Sequence, residues 1–273
     1  MIAHQIADGI ATITLDAPAT RNALPMAGWH ALAGTVATIA AAGPRVVVLR
    51  AAVPGMFCSG SDLREIAGLA EDAAARAPFR RAMRQALAGL AGLPMPVIAA
   101  IDGDCFGAGV ALALAADMRV AGPRAVFAIT PAKLGITYPQ EDIARLVALV
   151  GPGQAARMLY GATRIDAAEA ARIGLVEDRA DDAMAAATAM ATAMAALSPA
   201  SLVALKQAVA RAPHGHDPAL DALFDEAFAG DDFREGLAAF RERRPARFAE
   251  IGCALSVADA SSPDRTDDGA QDT

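Results

Sequence analysis

The chain has 273 residues, with 31 acidic against 24 basic side chains, a formal net charge of −7, and a composition that is 55% hydrophobic but only 4% aromatic. So much apolar content excludes a disordered protein, and an acidic balance with few stacking rings argues against a nucleic-acid binder, which needs a basic face to meet phosphates. The length suffices for one large core, or for one core with a smaller subdomain. No apolar run reaches membrane-spanning length without interruption, and the N-terminus lacks a basic segment followed by an apolar stretch and a cleavage site. The expectation is a cytoplasmic protein with no membrane and no nucleic-acid partner. Cys58, Cys105 and Cys253 have neither metal-like nor CxxC spacing and read as reduced thiols. His214 and His216, in Pro213-His-Gly-His-Asp-Pro218, read as a turn between helices, so no metal site is expected.

In chain order, Ala3–Ile6 and Ile10–Leu15 alternate apolar and polar residues about Gly9 and predict a hairpin. Pro25 at a first turn, followed by Trp29, Leu32, Val36 and Ile39 at spacings of three and four, predicts an amphipathic helix over 25–42. Val46–Arg50 is a buried strand. Arg64–Leu90 has a helical pattern, regular from 79 to 92, but its alanine-rich stretch Glu71–Pro78 is interrupted and is expected to be a mobile segment over a pocket. Val97–Ile101, between Pro96 and Asp102-Gly103, is a second buried strand. A helix over 109–117, strands Met118–Val120 and Ala125–Ile129, and helices Ala144–Val150 and Ala155–Tyr160 follow. Asp166 caps a helix that ends at Gly174, with a strand at Val176–Asp178. Ala180–Leu197 is a long helix broken at Ser198-Pro199, and helices over 199–212, 217–229 and 232–242 come after it. The expected division is a core over 1–197, a C-terminal helical subdomain over 198–255, and an unstructured tail over 256–273, where Ser, Asp, Pro and Gly dominate.

Two turns carry the chemistry. After the strand Val97–Ile101, Gly107-Ala108-Gly109 opens a helix whose first amides have no intrahelical partner and lie at the positive end of its dipole. After the strand Val46–Arg50, Met56-Phe-Cys-Ser-Gly-Ser-Asp-Leu63 again puts small residues and a glycine at a strand end. Two such turns can aim two N–H groups at one carbonyl oxygen.

The pair of stretches resembles the crotonase superfamily, the enoyl-CoA hydratase/isomerase family, in its FxxGxDL turn and its NGxxxGxGxxLxxxxD turn-helix. Arg21-Asn-Ala-Leu24, Phe127 with Lys133-Leu-Gly135, and Glu235-Gly-Leu-Ala-Ala-Phe-Arg-Glu-Arg-Arg-Pro245 extend the likeness over residues 1 to about 250. The resemblance implies an α/β fold, a spiral of ββα units with a C-terminal helical trimerisation subdomain, in a homotrimer or a dimer of trimers. It implies an acyl-CoA substrate, with coenzyme A as part of that substrate and no permanently bound cofactor. By the same resemblance the amides of Ser61 and Ala108 hold the thioester carbonyl. Coenzyme A lies along Ala23, Ser59, Leu63 and Arg64, and Phe240 and Arg243 close over the nucleotide.

The chain departs from the family pattern where typical hydratases carry their two glutamates: those positions hold Ala111 and Pro131. Hydration needs a base for water and an acid for carbon, so both usual groups are missing. Near that wall, Thr130-Pro-Ala-Lys-Leu-Gly-Ile-Thr-Tyr-Pro-Gln-Glu-Asp142 offers Tyr138, Glu141 and Asp142. Thr-Pro-x-x-Leu-Gly-x-x-Tyr resembles the same stretch in the superfamily's methylmalonyl-CoA decarboxylases, although their pattern has a histidine in place of Ser61. Three readings stand open: hydration or isomerisation with Glu141 as a displaced acid/base, decarboxylation of a malonyl-type thioester with Tyr138 in the pocket, and a non-catalytic acyl-CoA binding subunit.

Overall fold

The computed structural model describes residues 1–249. Four ββα units follow one another: β1 (Ile2–Ala7), β2 (Ile10–Leu15) and α1 (Met26–Ala42); β3 (Val46–Ala51), β4 (Gly55–Cys58), α2 (Leu63–Glu71) and α3 (Ala73–Ala91); β5 (Val97–Ile101), β6 (Gly103–Phe106) and α4 (Ala108–Leu114); β7 (Met118–Ala121), β8 (Val126–Ala128) and α5 (Gln140–Gly161). Then come β9 (Ile165–Asp166), α6 (Ala167–Arg172), β10 (Asp178–Arg179), α7 (Ala183–Ala195), α8 (Pro199–Arg211), α9 (Pro218–Ala227) and α10 (Asp231–Glu242).

Each of the second, third and fourth units sends its first strand to one sheet and its second strand to another. The sheets have the orders β1-β2-β3-β5-β7-β10 and β4-β6-β8-β9. Pairing is parallel except in the hairpin β1–β2 and at β8–β9. A parallel sheet covered on both faces needs apolar residues at every position, which is why β3 and β5 read as continuous apolar runs. In β3, Val47 and Leu49 enter the main core, where Trp29, Leu32, Val36 and Ile39 of α1 meet Ala86, Leu87 and Leu90 of α3. Val46 and Val48 turn the other way, onto Ala183, Ala187 and Ala191 of α7, an i, i+4 stripe of small side chains.

Four expectations are corrected. The interruption expected over Glu71–Pro78 is confined to Asp72, between α2 and α3: its side chain accepts from the amides of Ala74 and Ala75 at 2.9 and 3.2 Å to cap α3, which carries Pro78 inside it. Residues 103–106 are a strand rather than part of a turn. The helix after Gly107 stops at Leu114, whereas the two helices expected over 144–160 are there as the two arms of α5, parted at Gly151, whose φ of 73° and ψ of 163° are not helical, beside Pro152. The strand expected at Val176–Asp178 is two residues, Asp178–Arg179. Asp166 does cap α6, accepting from the Glu169 amide at 2.8 Å. The tail expected over 256–273 lies outside the described residues, as do positions 250–255 of the helical subdomain.

Candidate active site

Strands β4, β6 and β8 lie side by side and run parallel, with Cys58 opposite Cys105 and Cys105 opposite Phe127. Three stretches far apart in sequence therefore leave the small sheet at one edge: Ser59–Asp62, Gly107–Gly109 and the run from Ile129 to Tyr138. A fourth stretch is tied to them by the backbone. Leu24 donates to the Gly60 carbonyl at 2.8 Å, Asp62 to the Leu24 carbonyl at 3.0 Å, and Ser59 to the Arg21 carbonyl at 3.0 Å. Asn22, buried and with a positive φ of 56°, donates from Nδ2 to the Phe57 carbonyl at 2.9 Å and accepts the Ala17 amide at 2.7 Å.

The turns touch because glycines let them. A Cβ on Gly109 would stand 2.2 Å from the Cys58 carbonyl oxygen, and one on Gly60 would stand 2.9 Å from the Phe106 oxygen and 3.2 Å from the Ala108 nitrogen. The Gly60–Ser61 turn thus abuts the Ala108 amide. Among the described residues, neither the Ser61 nor the Ala108 amide makes a backbone hydrogen bond. Ala108 is the first residue of α4, where an amide has no partner within the helix. The cysteines preceding both turns are fully buried, and burial pushes the Cys58 thiol up to about 12 and the Cys105 thiol higher than its usual range. They fill space, and Cys58 Sγ donates to the Asn22 carbonyl.

The Tyr138 hydroxyl donates to the Gly107 carbonyl at 3.0 Å. Burial, then the nearby Asp142 carboxylate, holds its phenol well above the usual range, so it stays protonated. Asp142 is 2% exposed; burial raises its carboxyl, opposed by Arg145, whose Nη1 donates to it at 3.0 Å. Glu141 faces outward, paired with Arg84 at 3.2 Å. Ala111 is buried within α4, and Pro131 begins the short 3-10 turn Pro131–Leu134.

Ala23 and Ser59 are half-buried beside these turns, Ser59 Oγ donating to the Thr20 carbonyl at 3.3 Å, while Leu63 and Arg64 are exposed at the start of α2. A cavity of about 420 Å³ opens here, lined by Asn22, Ala23, Leu24, Pro25 and Asp62 among others. A larger groove of about 790 Å³, along α7 from Asp182 to Ala193, contains none of these residues. Phe240 is 82% exposed on α10 and Arg243 is its C-terminal cap. Among the described residues, no hydrogen bond or ion pair ties either side chain to the turns.

Sequence reasoning singled out Glu141 over its neighbour, whereas Asp142 is the buried one. The signal was present: Tyr138, Asp142, Leu146 and Val150 recur every four residues, and the last three are the buried face of the first half of α5. Asn22 was part of a recognised stretch, but its bracing of the β4 end is visible only in the fold.

With this geometry in view, the enoyl-CoA hydratase/isomerase family model matches residues 5–251. A protein of Rhodobacter capsulatus named as a probable enoyl-CoA hydratase is 35% identical over 253 residues, 90% of this chain and 97% of that one. The mitochondrial methylglutaconyl-CoA hydratase of Mus musculus is 33% identical over 215 residues, 75% of this chain and 68% of that one. The crystal structure of an enoyl-CoA hydratase/isomerase family protein from Hyphomonas neptunium superposes with a TM-score of 0.87 at 37% identity, covering 91% of this chain and 97% of that one. Two sheets fed alternately by ββα units, two glycine turns meeting at one sheet edge, and a match along almost all of the described chain lead to one conclusion: the chain belongs to the enoyl-CoA hydratase/isomerase family of the crotonase superfamily.

Proposed function

We propose that the protein acts on an acyl-CoA thioester and stabilises its enolate with the backbone amides of Ser61 and Ala108. The observation that carries this reading is the abutment of two turns, each offering an amide without a backbone partner, at one edge of the small sheet. Fixed donors in a site poor in water stabilise charge as it develops on the carbonyl oxygen, usually the largest single term in such catalysis. Coenzyme A runs past Ala23, Ser59, Leu63 and Arg64, next to the 420 Å³ cavity, with Phe240 and Arg243 meeting the nucleotide end.

Ala111 and Pro131, standing where the family pattern has its two glutamates, favour a second, narrower reading. Neither residue can move a proton, so a reaction that makes the enolate without a carbon base fits better than hydration. In the loss of carbon dioxide from a malonyl-type thioester, the electrons of the breaking C–C bond become the enolate, and a proton from water then completes the product. Mass spectrometry of purified protein with saturated, 2-enoyl, 3-enoyl and malonyl-type acyl-CoAs tests both readings. Loss of carbon dioxide is expected. Gain of water on a 2-enoyl thioester overturns the narrower reading and turns attention to Glu141, and tight binding with no conversion at all overturns catalysis.

The chain also assembles with copies of itself, as a trimer or a dimer of trimers. In support, α9 and α10 expose Phe224, Phe228, Phe233 and Phe240, the first three stacked edge to face at 5.2 and 5.3 Å. So much clustered aromatic surface is rare on a monomer. Sedimentation velocity is expected to give three or six times the monomer mass; a monomer at micromolar concentration rules the assembly out.

A further inference from the structure

The hydroxyl of Tyr138 is directed at a backbone group, not at open solvent. Its acceptor, the Gly107 carbonyl, belongs to the same peptide unit as the Ala108 N–H. Gly107 has φ 50° and ψ −119°, a conformation that turns this peptide away from the regular helical path and that only glycine adopts without strain. The peptide before it is anchored separately, by donation from the Gly107 amide to the Ala128 carbonyl at 2.8 Å. Besides Tyr138 at 3.0 Å, the Gly107 oxygen accepts from the Val110 amide at 2.9 Å and the Ala111 amide at 3.4 Å. Donors converging on a peptide oxygen draw electron density toward it and make the N–H across the same unit a stronger donor.

We propose that Tyr138 is a positioning residue that orients and polarises the Gly107–Ala108 peptide, so that the Ala108 amide binds a thioester carbonyl more strongly than an unassisted amide would. The inference rests on the reading of the Ala108 amide as a carbonyl donor. Burial supports it twice: the phenol remains protonated and able to donate, and a low local dielectric strengthens each bond in the chain. With Ala111 and Pro131 supplying no acid or base, the strength of the two amides is what this site has left to raise.

Infrared spectroscopy of bound butyryl-CoA carrying carbon-13 at the thioester carbonyl tests the link directly. In the unaltered protein the carbonyl stretch is expected below its value in solution. Tyr138→Phe, which removes only the hydroxyl, loses part of that displacement; 3-fluorotyrosine at position 138, a stronger donor of the same shape, increases it. An amide donor worth about 10²–10³ in kcat and strengthened by about 10–30% implies a kcat about two- to eightfold lower in Tyr138→Phe. Equal displacement in all three proteins overturns the role of Tyr138 while leaving the amide reading intact. No displacement in the unaltered protein overturns the amide reading, and this inference with it.

Discussion

Replacing Ala108 by proline is expected to lower kcat/KM by about 10²- to 10³-fold, the usual effect of deleting one oxyanion donor, in a protein that still folds. Ala108 is the first residue of α4, the one helical position where proline is readily accepted, because the amide there has no intrahelical partner to lose. The residue before a proline is normally restricted by a clash with its own Cβ, but Gly107 has none. The substitution therefore deletes the N–H and puts a ring carbon in the space in front of it, with little demand on the helix. Far-ultraviolet circular dichroism and melting temperature check the fold; steady-state kinetics with the acyl-CoA that the enzyme converts check the donor. Ser61→Ala, which keeps its backbone amide, serves as the control and should remain near full activity. An Ala108→Pro protein that is both folded and fully active would show that the Ala108 amide is not the donor.

Gly103→Ala acts on the fold beneath the site. Gly103 has φ +117°, and a Cβ there would lie 2.0 Å from the carbonyl carbon of Gly55 and 2.3 Å from both the Gly55 oxygen and the Met56 nitrogen. All three atoms are backbone, so no flexible side chain can swing aside. Gly55 and Gly103 are register partners at the start of the β4–β6 ladder, where the chain has just crossed from the larger sheet to the smaller one. Overpacking of about 1–3 kcal/mol together with backbone strain of about 1–3 kcal/mol gives an expected loss of about 2–6 kcal/mol. That is a large share of the 5–15 kcal/mol typical of a whole domain. Trp29, the single tryptophan and fully buried, reports urea unfolding by fluorescence. A midpoint close to that of the unaltered protein would mean that the two strands separate easily at this point.

The apolar elements were legible in the sequence because burial writes its own period. Trp29, Leu32, Val36 and Ile39 are all buried on α1 as their spacing predicts, and β3 and β5 appear where continuous apolar runs stand between turn residues. What the sequence hid was β6. Its four residues, Gly-Asp-Cys-Phe, open with two that disfavour strands and are too few to show a period, and they are extended because β4 and β8 hold them from either side. Pairing partners distant in sequence leave no local trace. The same reason accounts for the site. Gly107-Ala108-Gly109 and Ser59-Gly60-Ser61 could be recognised as turns one at a time, but their meeting is a property of the small sheet. The direction of the Tyr138 hydroxyl toward Gly107 depends on how α5 enters, which no spacing rule encodes.

The small sheet also bears on the order of events during synthesis. It receives one strand from each of three successive units, so its edge is completed only when β8 and the segment after it have emerged and paired. A nascent chain that has released three units holds β5 and β6 as open parallel edges in two sheets at once, the kind of exposed template that invites association with other chains. The hydrogen bond from Tyr138 to Gly107 spans 31 positions and cannot form before the fourth unit arrives. Competence to react is in this way a late property of the polypeptide, and a ribosome-bound or truncated fragment ending before β8 should be inert however well its first helices have packed.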